Sequence, residues 1–228
     1  MDTVKRIFLE GQQMEVALIG TMHVSKDSAS AVEKLILEER PDTVCVELDE
    51  SRMRTVSGTC DRPRSGSGAK PNLERILGSF QKTIGEKMNA VPGTDLLAAI
   101  ESAQAIQARV VLIDRDIRTT LERMWKGLGG FGKIRFFFYL IKEMFQARSM
   151  KPEEIAKLTE QGEIDEALGE LAAKFPAMKR ALVDERDAYM ASRIQECGGK
   201  KVIVALGAGH LEGVARYLQS LPPIASEG

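Results

Sequence analysis

A short apolar run, Ile7-Phe8-Leu9, lies between the charged Arg6 and Glu10, and a longer, almost unbroken apolar run extends from Met14 to Ile19, with Gly11-Gln12-Gln13 between them. This spacing predicts a β-hairpin. The second run is the more uniformly apolar, as expected of a strand covered on both faces. From Ser25 to about Arg40 the apolar positions Ala29, Val32, Leu35 and Ile36 recur at helical spacing, with Ser25 as cap and Asp27 in the first turn. Pro41-Asp42 breaks that helix, and residues 43–49 are β-branched and apolar until Glu47. Strand, helix and strand in this order predict a βαβ unit with parallel pairing. A helical turn over Glu50–Val56 follows and carries Arg52.

Residues 57–71 break the pattern with Gly58, Pro63, Gly66, Gly68 and Pro71 among serines and basic residues, which predicts a mobile loop. Apolar spacing then predicts helices over 72–88 and 94–108, a third strand over 110–113 ending at Asp114-Arg115-Asp116, and a helix over 119–126. Residues 125–150 hold most of the aromatics and are basic at Lys126, Lys133, Arg135, Lys142 and Arg148. Such a stretch fits a packed helix hairpin, an interfacial helix at a membrane, or a partner-binding face. Pro152 suits a helix N1 position, and short polar helices over 154–159 and 163–174 would form an outer lobe. A long helix over 176–197 carries Glu185-Arg186-Asp187 in its middle and stops at Gly198-Gly199. A last strand over 201–206 and a helix over 211–218 close the chain. The expected fold is α/β: a central mixed, largely parallel sheet flanked by helices, with an added helical lobe. We expect one domain over 1–221 with a helical insertion at about 116–175, and a linker at 222–228.

Composition narrows the function. The net charge of −1 argues against a nucleic-acid partner. Cys45, Cys60 and Cys197 show no paired spacing, which argues against a zinc–thiolate site and suits a reducing compartment. The N-terminal residues contain no signal-peptide apolar run, and no stretch has the length of a membrane span.

The chain has only two histidines, His23 and His210. Each ends a Gly-x-x-His tetrapeptide after a strand-like run: Gly20-Thr21-Met22-His23 and Gly207-Ala208-Gly209-His210. Glycine lets a strand turn sharply and leaves room for a ligand. Neutral imidazole is the form that binds a metal or accepts a proton. Ligands of open α/β sheets gather beyond the carboxyl ends of the strands, so His23, Glu47 and His210 are candidates to share one rim. Two histidines and a carboxylate suit zinc, manganese, cobalt or ferrous iron with a position left open for water. The plainer alternatives are hydrogen-bonded structural histidines, a solvated Glu47 at a strand end, and an ion-paired Arg186 between Glu185 and Asp187.

Several stretches taken together resemble the TraB/PrgY/GumN family. They are Gly20–Ser25, Val46-Glu47-Leu48-Asp49 followed by Arg52, Ile113–Ile117, Glu185-Arg186-Asp187 with Tyr189-Met190-Ala191, and Gly207–His210. That family is related to the Tiki metalloproteases and more distantly to erythromycin esterase and ChaN-like proteins. The resemblance implies a pocket lined by both Gly-x-x-His motifs, a glutamate and an arginine, which map onto His23, His210, Glu47 and either Arg52 or Arg186. It implies a metal-dependent hydrolase, most simply a peptidase acting on a peptide or signalling substrate. His23, Glu47 and His210 would hold a divalent metal (Mn, Co or Zn), and Glu47, Arg52, Arg186 and Asp187 would form the catalytic set. Two other readings follow from the same kinship: a non-catalytic peptide- or signal-binding regulatory domain of a membrane protein, and a haem- or metal-carrying ChaN-like module. Many such proteins continue into a C-terminal membrane-spanning bundle. The expectation is therefore the cytoplasmic-side soluble domain of an integral membrane protein, with a homodimer possible.

Overall fold

The computed structural model of the chain describes residues 4–21, 26–56, 94–136, 138–139 and 173–222. The predicted loop at 57–71, the helices at 72–88 and 154–159, the cap Ser25, Pro152, most of the 163–174 helix and the linker beyond Pro222 lie outside the described residues. The chain divides into two compact units, one formed by Met1–Asp116 and Asp187–Gly228, the other by Ile117–Arg186.

The first unit is built on a five-stranded sheet. Its strands are β1 (Val4–Leu9), β2 (Met14–Thr21), β3 (Thr43–Val46), β4 (Arg109–Leu112) and β5 (Lys201–Gly207), in the spatial order β1-β2-β5-β3-β4. β1 pairs antiparallel with β2 and every other pairing is parallel, so the mixed, largely parallel sheet expected from the hydrophobic pattern is present. Period two sorts the side chains between two layers. Ala17, Ile19, Val44, Val46, Ile203 and Ala205 face helices α1 (Lys26–Glu39) and α3 (Thr94–Ala105), packing on Val32, Ile36, Leu96, Ala99, Ile100 and Ala103. Val16, Leu18, Cys45, Val202, Val204 and Leu206 face α5 (Glu185–Glu196) and α6 (Ala208–Ser220), packing on Met190, Ile194, Leu211, Val214 and Leu218. Both faces of β2, β3 and β5 are thereby covered, which is why those strands read as continuous apolar runs. A short helix, α2 (Glu50–Val56), follows β3.

Element ends differ from the periodicity for local reasons. β3 stops at Val46, because the Leu48 N–H turns back to the Val46 carbonyl at 2.8 Å. α3 stops at Ala105 rather than 108, because Gln107 adopts the left-handed region (φ 59) and turns the chain into β4. α6 begins at Ala208, three residues before the predicted start, so His210 lies in its first turn.

At the amino-terminal edge of the parallel strands, Asp42 Oδ2 accepts from the backbone N–H groups of Lys200 (2.8 Å) and Lys201 (2.9 Å), fastening the start of β5 to the start of β3. Glu39 accepts from Arg6 and pairs with Lys201 at 3.1 Å. The Lys201 and Lys200 amides hold the Asp42 carboxyl below the usual carboxylate range, and the Arg6 hydrogen bond does the same for Glu39. Cys45 and Cys197 are both buried and free in the layer under α5, and the Cys197 thiol donates to the Gly198 carbonyl at 3.5 Å. The neighbouring Cys197 thiol and burial push the Cys45 thiol up, while the Cys45 thiol, with Arg109 near, holds Cys197 down.

In the second unit the described helices are α4 (Ile117–Gly127), a helix over 129–136, and the run Pro176–Lys179 that continues through a π turn at Arg180–Asp184 into Glu185 of α5. The predicted long helix is therefore interrupted by one wider, under-wound turn. Phe136 is buried edge-to-face on Phe175, with ring centroids 5.2 Å apart. Arg123 pairs with Glu185 at 2.7 Å. Among the described residues no helix is long and apolar enough to cross a membrane.

Asp42→Ala should lower stability by about 1 kcal/mol at pH 7, the value for hydrogen bonds to a charged group after solvent screening. Because the folded carboxyl is held low, its contribution is complete above the ordinary carboxylate range and is lost as pH falls through the depressed folded value. Urea unfolding of both proteins as a function of pH checks this: the two stability curves should converge only in acid.

Candidate functional site

The strand register brings the site together. Gly20 and Thr21 of β2 lie beside Leu206 and Gly207 of β5, and Val46 of β3 lies beside Ala205. Three parallel strands therefore end at one rim. The Glu47 N–H continues the ladder to the Ala205 carbonyl at 3.0 Å, so Glu47 is fixed at the end of β3. It has the parity of Cys45, which faces the α5–α6 layer.

At that rim Glu47, His210 and Asp187 form a connected chain. Glu47 Oε2 accepts from the Gly207 N–H at 2.6 Å, at the N-cap of α6. The positive end of a helix favours an acceptor in that place. Glu47 Oε1 lies 3.6 Å from His210 Nε2. The other ring nitrogen, Nδ1, is 2.5 Å from Asp187 Oδ1, the second carboxylate of the layer. Glu47 is 3% exposed and Asp187 2%, so both carboxylates depend on these partners rather than on water. Nδ1–H donates to Asp187, which leaves Nε2 as the nitrogen presented to Glu47.

Two glycines make the packing possible. A Cβ at Gly20 would approach Ala208 Cα to 3.2 Å, so the end of β2 and the start of α6 are nearly in backbone contact. A Cβ at Gly213 would overlap the Asp187 carboxylate. Gly213 was not among the predicted site residues. Its signal was present: a glycine inside a helix costs about 1 kcal/mol relative to alanine and calls for a packing reason.

The remaining predicted residues fall elsewhere. Arg52 donates to Asp114 Oδ2 at 3.1 Å, beyond the end of β4, and Asp49 Oδ1 caps α2 through the Ser51 and Arg52 N–H groups. Arg186 belongs to the second unit, where its guanidinium donates to the Leu182 carbonyl at 3.3 Å. His23 lies outside the described residues. A separate cavity of about 680 Å³ opens beside β4, lined by Asp49, Arg54, Leu112, Asp114, Tyr189 and Arg193, and neither Glu47 nor His210 lines it.

The paired ends of β2 and β5 carry the two Gly-x-x-His motifs, and a model of the TraB/PrgY/gumN family matches residues 4–222. The chain belongs to the TraB/PrgY/gumN family. This TraB-family chain is 33% identical over 95% of its length to an uncharacterized protein of Methanocaldococcus jannaschii, of which it covers 56%. It is 23% identical to a TraB domain-containing protein of Homo sapiens, and 22% identical to one of Mus musculus, over 88% of its length and 62% of theirs. The chain thus spans less than two thirds of the length of these relatives.

The donor set fits a divalent metal as far as the described residues reach. Two bonds of about 2.1 Å meeting at a tetrahedral angle span roughly 3.4 Å. The 3.6 Å between Glu47 Oε1 and His210 Nε2 is close to that span. A carboxylate on the far ring nitrogen is the usual support of a metal-binding histidine. Among the described residues no group of three or more His, Cys, Asp or Glu side chains stands ready to hold an ion.

Gly213→Ala should destabilise the protein by about 1–3 kcal/mol through overpacking against Asp187. In an Asp187→Ala background the same change should be neutral, or stabilising by up to about 1 kcal/mol through helix propensity. Denaturant unfolding of the four proteins measures the coupling, and additive effects would rule out the contact.

Proposed function

We propose that this TraB-family chain carries a metal-dependent hydrolase site acting on a peptide or signalling substrate. The observation that supports it most is the Asp187–His210–Glu47 chain. With His210 as the neutral tautomer whose Nδ1–H donates to Asp187, Nε2 faces a Glu47 carboxylate oxygen across 3.6 Å. Two acceptors so placed repel unless a proton or a cation lies between them. His210 and Glu47 would hold a divalent metal (Mn, Co or Zn), with His23 as the third ligand inferred from the second Gly-x-x-His. The metal would supply Lewis-acid polarisation of a substrate carbonyl and a water activated at neutral pH.

The protein's own residues have separate tasks in this reading. Asp187 fixes the ring and its tautomer. The Gly207 N–H occupies one oxygen of Glu47 and leaves the other turned to the histidine, either as ligand or as the base that takes a proton from the attacking water. Arg52, in the same unit, is the candidate to hold a substrate carboxylate or developing oxyanion.

Metal content of protein purified without chelator, followed by cleavage of a peptide library with added manganese, cobalt or zinc, tests the proposal. The wild type should retain metal and cleave. His210→Ala and Glu47→Gln should lose both properties. Asp187→Asn should keep the fold but bind metal roughly 10- to 100-fold more weakly, the usual loss when a histidine's supporting carboxylate is removed. A wild type that binds peptide but shows no turnover under any of the three metals would sink the hydrolase reading in favour of recognition alone.

A further inference from the structure

In the second unit, apolar residues are turned outward as well as inward. On the helix over 129–136, Phe136 points inward and is 5% exposed against Phe175. Phe131 is 81% exposed and Ile134 57%, and Phe138, helical again just beyond, is 65% exposed. At about 100° per residue, positions 131 and 134 fall about 60° apart on this helix, and 136 lies well to the side. Trp125 at the end of α4, 49% exposed, adjoins this stripe: Lys133 Nζ lies 5.2 Å from its ring centroid. Four large apolar side chains standing out of one surface exceed the scattered exposure normal for a soluble protein.

Charge indicates what covers them. From Trp125 to Tyr139 the sequence contains Lys126, Lys133 and Arg135 and no acidic residue. Lys126 is exposed, with Glu122 at 3.9 Å on the preceding turn of α4. Lys133 rests on Trp125, and Arg135 lies over Phe175 and donates to the Lys174 carbonyl. A basic rim around an aromatic stripe matches the interface of an anionic bilayer, where rings enter the headgroup boundary and cations meet phosphate and carboxylate groups. We propose that the Trp125–Phe131–Ile134–Phe138 face docks flat on an anionic lipid surface. This is a mode of lying on a membrane, distinct from crossing one, and it does not depend on the hydrolase reading.

Trp125 is the only tryptophan of the chain and reports on this face directly. The 228-residue protein is mixed with vesicles of phosphatidylcholine containing phosphatidylserine, and with vesicles of phosphatidylcholine alone. The expected result is co-sedimentation with the anionic vesicles, a shift of Trp125 emission to shorter wavelength, quenching by brominated acyl chains, and loss of all three at high salt. Phe131→Ser with Phe138→Ser should weaken binding at least about tenfold, given the apolar area each ring would bury. Lys126→Glu with Lys133→Glu should remove the preference for anionic vesicles. Because Phe131, Phe138 and Lys126 are exposed, changes there should leave melting as in the wild type, and thermal melting of each variant checks its fold. Unshifted Trp125 emission with anionic vesicles, or equal binding by the serine variant, would overturn the proposal. So would a concentration-dependent dimer, seen by sedimentation without lipid and abolished by Phe131→Ser, since that outcome gives the face to a second copy of the chain.

Discussion

Two carboxylates, Glu47 and Asp187, are buried in one layer, and the arrangement around them follows from that burial. An unpaired carboxylate would cost several kcal/mol there. His210 Nδ1 answers Asp187, the Gly207 N–H answers one oxygen of Glu47, and the other Glu47 oxygen is turned toward His210 Nε2 at 3.6 Å. The backbone is shaped to allow this. β5 must stop at Gly207 so that α6 can present its first N–H groups and His210 to the rim. Gly213 must lack a side chain so that α5 can bring Asp187 against α6. Gly20 must lack one so that β2 can end beside Ala208. The three glycines stand in different elements yet serve the same short stretch of helix.

The sheet position of β5 gives the rim its composition. Although it is the last strand in sequence, it lies between β2 and β3. Its register sets Thr21 beside Gly207 and Val46 beside Ala205, so residues nearly two hundred positions apart end on one line. Parallel pairing is what allows this, since all three strands then point their carboxyl ends the same way. The opposite ends are fastened by Asp42, whose carboxylate holds the first two amides of the β5 segment against the start of β3. A slip of one residue there would invert every side chain of β5 and carry Gly207 away from Glu47.

Much of this was legible in the sequence because burial on two faces leaves a plain apolar run. β2, β3 and β5 were found in that way, and α1 by its helical spacing. Glu47, Asp187 and His210 were named as candidates from local pattern and resemblance, and they meet. The pairing of Asp187 with the His210 ring was beyond reach, because it depends on two helices packing side by side across the same sheet face. Arg52 was legible as a charge near a strand end, but its partner Asp114 lies 62 positions away beyond the end of β4, and nothing local joins the two. The early start of α6 was hidden by Ala208-Gly209, which reads as loop because glycine disfavours helix interiors. In the first turn that cost is small, and the N-cap geometry of Gly207 decides the boundary instead.

The helical unit obeys a different balance. If the 129–136 helix were turned about its axis, Phe131 and Ile134 would be inward in place of Phe136, and more apolar area would leave water. Each ring so buried is worth about 1.5–3 kcal/mol. The opposite orientation is held by particular contacts: the Phe136 edge on the Phe175 ring, the Arg135 guanidinium over the same ring, and the Arg135 bond to the Lys174 carbonyl. Local geometry therefore fixes a rotation that total hydrophobicity would not choose, and the outward stripe is a specified feature of the sequence. In the sheet unit the alternating apolar positions are consumed by the core, whereas here the sequence uses an aromatic cluster to keep three others in the open.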